Sequence, residues 1–587
     1  MVLRQTVKAD FICRSQIDLE RGYVVASAGF ATVLVPRQQN ISHGGDCVNK
    51  RHRTASLFTG GILVLAALVT AVICTGCAIS SSGSTDIAGL QQQLHHHPDD
   101  SAARLKLARA QLEQGQIEAA RQQLQPLLEM PNPPLAARVL DADIIYAGGD
   151  VPRATLLLRR LLDEHPDDES LYLRLITLYI NDADIAQVTA VLHQLLQHNP
   201  DSVQGLMYMA QISRLQHDYP AAIKYYQRVI QLQPDKAQPY AELGQVLELS
   251  KQAEQALDVY AQAARNSDQP LYFIHQRTSL LLQYQRYDEA EQELLTALDK
   301  YPNDADSRYK YAYILCERCR WSEAEQQFRL AIKAGFALQQ VHYWLGVACE
   351  KQQKWSAAEV EYRKILADPH WGYNARRRLG VVLFYQQRYA EAVAEHKKLY
   401  IGADTSPMWY LQLALYYQAW GKDQQVLEIL NEGLKKYPAD ADLRYARGVY
   451  YQMHGNRAKV IEDMRSALQS NGNHCGALNH LAYLYAEQGE HLDEALDMAR
   501  RAVAINPAAA VLDTLGWVYY QRGDYRKACD YLRKSLEKDA GDATVLEHLG
   551  DACAAMGNYA AARSSYAKAL QLAPNNAAVK AKMEKLP

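Results

Sequence analysis

The side chains in this sequence that could do chemistry are few and scattered. Cys316-Glu-Arg-Cys319 is the sharpest local motif. Two thiols at i and i+3 on a helix could close a strained redox disulfide or supply half a metal site. The same spacing also suits small residues packed near a turn, as at Cys349, Cys475, Cys529 and Cys553. His95-His96-His97 could ligate a cation, but three histidines beside a helix end also make a solvated terminus. There is no P-loop, dinucleotide fingerprint, Gly-x-Ser-x-Gly elbow or His-Glu-x-x-His pair. The expectation is no catalytic residue, no metal and no cofactor. Basic and acidic residues number 63 and 66, so no basic stripe marks nucleic acid as a main ligand. Tyrosine outnumbers phenylalanine 38 to 7. A ring with a polar tip suits half-buried helix positions and wet binding surfaces.

The elements that must carry these residues come from copying. The stretch 509–542 returns as 543–576, with Leu515-Gly516 over Leu549-Gly550 and Ala528 over Ala562, a period of 34. Projected backwards, the frame gives fourteen copies over 101–576 with starts down to Ser101. Position 8 is glycine or alanine in all but Ile176 and Thr278, and position 20 is alanine or valine except where the twelfth copy shifts by one onto Ala495. Small residues there let two helices approach closely. Proline at position 32, as in Pro166, Pro234 and Pro574, stops the second helix. Apolar residues such as Leu512, Leu515, Val518 and Tyr519 keep the helical period. The chain reads as a run of helical hairpins in which copies three and eleven are the weakest, and local irregularities are expected there.

Ahead of the repeats lies one long apolar run, Leu57 to Ile73, with Lys50, Arg51, His52 and Arg53 before it and Cys74-Thr75-Gly76-Cys77 after it. That order is a secretory leader. Its Thr-Gly-Cys ending resembles a bacterial lipobox, which implies that Cys77 becomes the lipid-modified first residue. Cys74 departs from the usual leucine. The alternative is an uncleaved membrane anchor, since about 20 apolar residues span a bilayer, and both readings keep the rest of the chain outside the cytoplasm. The expected segments are 1–47 as an upstream extension without structure, read from a start placed too early, and 48–77 as leader or anchor. Residues 78–85 form a flexible tether, 86–100 a capping partial repeat, and 577–587 a C-terminal capping helix. Ala78, which is not aspartate, implies outer-membrane sorting facing the periplasm.

The repeats resemble the tetratricopeptide family, on Leu345-Gly346, Ala358 and Tyr362 in one copy and Leu549-Gly550, Ala562, Tyr566, Ala569 and Pro574 in another. The resemblance implies an all-α solenoid, a right-handed superhelix with a concave groove. The family's groove positions, carried over, are Tyr272, His275, Tyr309, Tyr313, Tyr343, Arg377, Tyr385, Tyr445, Asn479, Tyr483, Trp517 and Tyr520. Such a groove would take an extended protein or peptide partner, or alternatively a polysaccharide stacked on the aromatics. The expectation is a non-catalytic scaffold tethered to the bacterial envelope, serving assembly or secretion. The alternative is a polysaccharide-binding module of an exopolysaccharide export system.

Overall fold

Side-chain caps open about half of the helices in this chain. Asp100, Asp168, Ser202, Asp304, Asp440 and Asp542 cap first (A) helices, and Asp150, Asp184, Asp218, Asn456, Asp524 and Asn558 cap second (B) helices, each accepting a backbone N–H of the first turn. Each B helix followed by proline ends on a residue held out of the helical region, such as His165 (φ −132°, ψ 66°) and Gln233 (φ −135°, ψ 72°).

A computed structural model describes residues 23–26, 33–36 and 86–587, apart from 183, 337, 401, 403 and 404. The leader or anchor 48–77 with Cys77, and the tether 78–85, lie outside the described residues. Within 1–47, expected to lack structure, Tyr23–Ala26 pairs antiparallel with Val33–Pro36. Both short runs are rich in β-branched residues. Everything described from 86 onward is helical hairpins: an initial helix Ile87–His96, fourteen A/B pairs starting at Ser101 and ending at Leu572, and a last helix Ala577–Glu584. The fold is the all-α tetratricopeptide solenoid. Its repeats fall into two compact units, one ending at Pro302 and one running from Asn303 to Pro587.

In most hairpins with a position-8 glycine, that residue meets position 24 of the B helix. A Cβ added to Gly244 would lie 2.1 Å from the Tyr260 ring, to Gly346 2.5 Å from Tyr362, and to Gly550 2.4 Å from Tyr566. In these three copies glycine leaves room for a large ring, whereas Gly448 and Gly516 face Met464 and Leu532. The A-to-B turn places position 15 in the left-handed region in every described copy. Glycine holds it in seven, such as Gly523, whereas His217, Lys251, Gln285, Cys319, Gln353 and Gln387 hold it with a side chain.

The expected weak copies are regular. Ile176 and Val188 of the third and Val460 of the eleventh are buried, and their helices keep 13 and 14 residues. The departures come in copies eight and nine, where the B helices Trp355–Lys364 and Tyr389–Lys397 shrink to 10 and 9 residues. After the first, the Asp368 carboxylate accepts the N–H groups of His370 and Trp371, turning the chain before the next helix. After the second, His396 and Trp409 exchange hydrogen bonds at 3.0 and 3.1 Å. In copy twelve the turn gains a residue, with both Gly489 and His491 left-handed, which moves the B-helix alanine to Ala495.

Candidate functional site: the A-helix face

Several A helices touch the A helix of the next copy, as Cys475–Gln488 touches Ala509–Gln521 and that helix touches Ala543–Ala555. The face they share carries most of the residues picked from the sequence. Tyr272 and His275 belong to the unit ending at Pro302. Tyr272 is exposed, with its ring edge-on to buried Phe273 at 5.0 Å, and burial of its oxygen followed by the charge of Glu242 pushes its phenol up. His275 is half-buried.

The other ten belong to the unit from Asn303. Tyr309 stacks on Phe336 at 5.0 Å, which stands where other copies have their helix-stopping proline. Tyr313 meets Trp344 edge-on at 5.1 Å. Tyr343 is buried at 4 % exposure, covered by Trp371 at 4.9 Å, and accepts a 3.0 Å hydrogen bond from Arg378 Nε. It is a packing residue in this fold. Tyr385 lies flat on Trp355 at 4.6 Å, and Arg377 is half-buried with its Nε enclosed and without a hydrogen-bond partner. Tyr445 tilts against His474 at 5.0 Å.

Copies twelve to fourteen assemble the densest constellation. Trp517 lies nearly parallel to both Tyr520 (4.7 Å) and His548 (4.1 Å), and His548 Nδ1 donates to Asp513 at 2.9 Å. The Trp517 Nε1–H and the Asn479 Oδ1 are enclosed with no partner, an arrangement that costs roughly 1–3 kcal/mol per group unless something satisfies it. Tyr483 is half-buried, and burial, with the adjacent Glu487 carboxylate, drives its phenol upward. Burial works to lower His548, but the charge and hydrogen bond of Asp513 outweigh it and leave the imidazole raised. Among the described residues, no serine, threonine or cysteine joins the His548–Asp513 pair in a hydrogen-bonded relay; Thr514 Oγ1 is turned to its own helix at Ala510.

His548, Asp513, Trp344, Trp355 and Trp371 are the site residues that sequence reasoning missed. One signal was available. The ties between successive A helices recur at a separation of 35: Arg378 to Tyr343, His548 to Asp513 and Lys582 to Glu547. Each joins position 6 of one copy to position 5 of the copy before. Lys582, on the last helix, also reaches Asp551 at 2.6 Å, so that helix closes the array as a fifteenth A helix would.

The sharpest sequence motif separates in space. Cys316 is buried in the last turn of its helix, with burial pushing its thiol up, while Cys319 is exposed at the left-handed turn position, and neither is in a disulfide. Among the described residues no three His, Cys, Asp or Glu side chains are grouped to hold a metal ion, the histidines at 95–97 included. Among the same residues, no helix is long and apolar enough to cross a membrane.

A family model described as tetratricopeptide repeat matches residues 181–237, 209–270, 279–336 and 514–577, and a second of the same description matches 87–140. A TPR repeat-containing protein of Pseudomonas aeruginosa is 31% identical over 131 residues, 22% of this chain and 22% of that protein. The human protein O-mannosyl-transferase TMTC1 is 27% identical over 179 residues, 30% of this chain and 20% of that one. The type IV pilus assembly protein PilF of P. aeruginosa is 27% identical over 167 residues, 28% of this chain and 66% of that one. A solved structure of P. aeruginosa pilF aligns with a TM-score of 0.27, at 27% identity over 30% of this chain and 81% of that one. The first two matches thus span about a fifth of each relative's length.

Proposed function

We propose that this chain, whose repeats match tetratricopeptide models over 87–140, 181–270, 279–336 and 514–577, is a non-catalytic scaffold whose protein partner docks on the A-helix face of copies twelve to fourteen. The observation that carries this reading is the Trp517, Tyr520, His548 and Asp513 cluster with the enclosed, unpartnered polar atoms of Trp517 and Asn479. The repeat frame does not require Trp517 or Tyr520, and aromatic rings beside unmet donors and acceptors are what an interface hot spot offers. The stacking of Trp517 on its neighbours favours a protein over a polysaccharide, because a sugar ring needs an open aromatic face.

The scaffold would be held at the bacterial cell envelope through a lipid on Cys77, with the repeats facing the periplasm from the outer membrane. The lipobox-like Thr75-Gly76-Cys77 supports this tether. Service in assembly or secretion, as in building a pilus, is supported by the partial likeness to a protein named for type IV pilus assembly. The test is affinity capture from detergent-solubilised envelopes with the full chain and with Trp517→Ala and Tyr520→Ala. A partner retained by the wild type and lost from both variants is expected. Retention by both variants, or capture of glycan in place of protein, would refute the docking face.

A further inference from the structure

Where the B helix Tyr525–Lys538 of copy thirteen meets the A helix Ala543–Ala555 of copy fourteen, three sulfur atoms gather. Cys529 Sγ stands 3.7 Å from Cys553 Sγ and 3.8 Å from Met556 Sδ. Both thiols are buried, while Met556, the cap residue of the A helix, is 50% exposed. Cys553 and Met556 are three residues apart on one helix, so they share a face. The cluster therefore has a closed floor and one side chain at the surface.

The spacing is that of sulfurs in van der Waals contact, and it also suits donors that share one ion. Two sulfurs held about 2.3 Å from one ion lie about 3.8 Å apart in a tetrahedral arrangement and about 4.0 Å apart in a trigonal one. Both observed separations fall within a few tenths of an ångström of that range. A disulfide would require the Cys529 and Cys553 sulfurs to close to about 2.05 Å, although both sit on helices locked by buried neighbours. Soft thiolate and thioether donors select soft ions. With no cluster of three His, Cys, Asp or Glu among the described residues to suit a harder one, the donor set points to monovalent copper.

We propose that Cys529, Cys553 and Met556 form a site for one copper(I) ion at the seam between copies thirteen and fourteen. Binding joins the ion to two sulfurs as thiolates and to one thioether, releases the two thiol protons to solvent, and changes no oxidation state. The exposed thioether is the entry ligand, swinging out to take the ion from solvent and back to deliver it to the buried thiols. The site shares no residue with the proposed docking face and does not depend on it.

The test is an anaerobic titration of the reduced full chain with copper(I), in competition with a chromogenic copper(I) chelator, followed by thiolate-to-copper absorption in the near ultraviolet. The Cys529→Ser/Cys553→Ser variant is expected to bind one equivalent fewer than the wild type. Met556→Leu, a volume-conserving change at an exposed position, is expected to weaken that equivalent at least tenfold with an unchanged helical circular dichroism spectrum. Equal stoichiometry in wild type and the double serine variant would overturn the site. So would unaltered affinity in Met556→Leu, or an intramolecular Cys529–Cys553 disulfide as the product in place of a copper complex.

Discussion

Alanine in place of Gly244 should break its hairpin, although alanine is the best helix former. In a helix interior the exchange gains about 1 kcal/mol of propensity. Against that, the new Cβ would stand 2.1 Å from Tyr260 Cε1, 2.5 Å from Cζ and 2.6 Å from the hydroxyl oxygen. The ring cannot simply retreat, since it is fully buried, packs against Phe273 at 6.2 Å and donates its O–H to the Glu248 carboxylate at 2.5 Å. Overpacking costs about 1–3 kcal/mol, and losing a hydrogen bond to a charged group about 1.5–3 kcal/mol. The net is a destabilisation of about 1.5–5 kcal/mol. Gly380 occupies the same frame position, but there a Cβ would first meet the Tyr416 hydroxyl at 3.2 Å, the far end of a side chain. Propensity should then win, leaving Gly380→Ala neutral or up to about 1 kcal/mol more stable.

Because repeat arrays open locally, amide hydrogen exchange across Ala237–Leu249 and Ala253–Asn266 is the suitable assay. Each 1.4 kcal/mol appears as about a tenfold change in the exchange rate. A Tyr260→Leu background, which makes room for the new methyl, should make the Gly244→Ala penalty vanish or reverse. Undiminished protection in Gly244→Ala would refute the steric account. An equal penalty at Gly380, or no coupling to Tyr260→Leu, would do the same.

Three further outcomes follow from the turns and the buried imidazoles. At the left-handed positions Gln353 (φ 59°) and Gln387 (φ 62°), glycine should stabilise by about 0.5–1 kcal/mol each, because a Cβ costs about 1–2 kcal/mol there and glycine's extra chain entropy returns part of it; a lower melting temperature for either variant would count against this. Burial holds His480 down at about 4. The unfolded chain therefore takes up the extra proton, and stability should fall as pH drops from about 6.5 towards 4, a slope that His480→Leu should flatten in urea titrations at pH 7 and 5. His548 has the opposite sign. Its raised value means that its contribution is present below about 6.5 and lost as pH climbs through the folded-state value, and a melting profile of Asp513→Asn that kept this dependence would show that the Asp513 charge is not its source.

What was legible in the sequence is what one copy specifies by itself or shares with every other copy. Gly244 beside Tyr260, Asp524 at a cap and Pro234 at a stop act within one hairpin or at its edge, so composition at a fixed position reveals them. The exposure of an A-helix residue is different, because it is decided by what the next copy lays over it. Tyr343 and Trp517 both occupy positions that a family frame assigns to a groove. Yet Tyr343 is sealed by Trp371 and Arg378, which arrive after the shortened B helix of copy eight, and Trp517 stays half-exposed beside His548. Averaging over copies erases that difference, since it treats every neighbour as the same. The cross-copy ties fall at a separation of 35, one residue beyond the period, because position 6 of one helix leans back on position 5 of the preceding one. A comparison of copies at 34 aligns equivalent residues and cannot see partners. A pairing at 35 joins His548 to Asp513, and with it the imidazole that lies against Trp517.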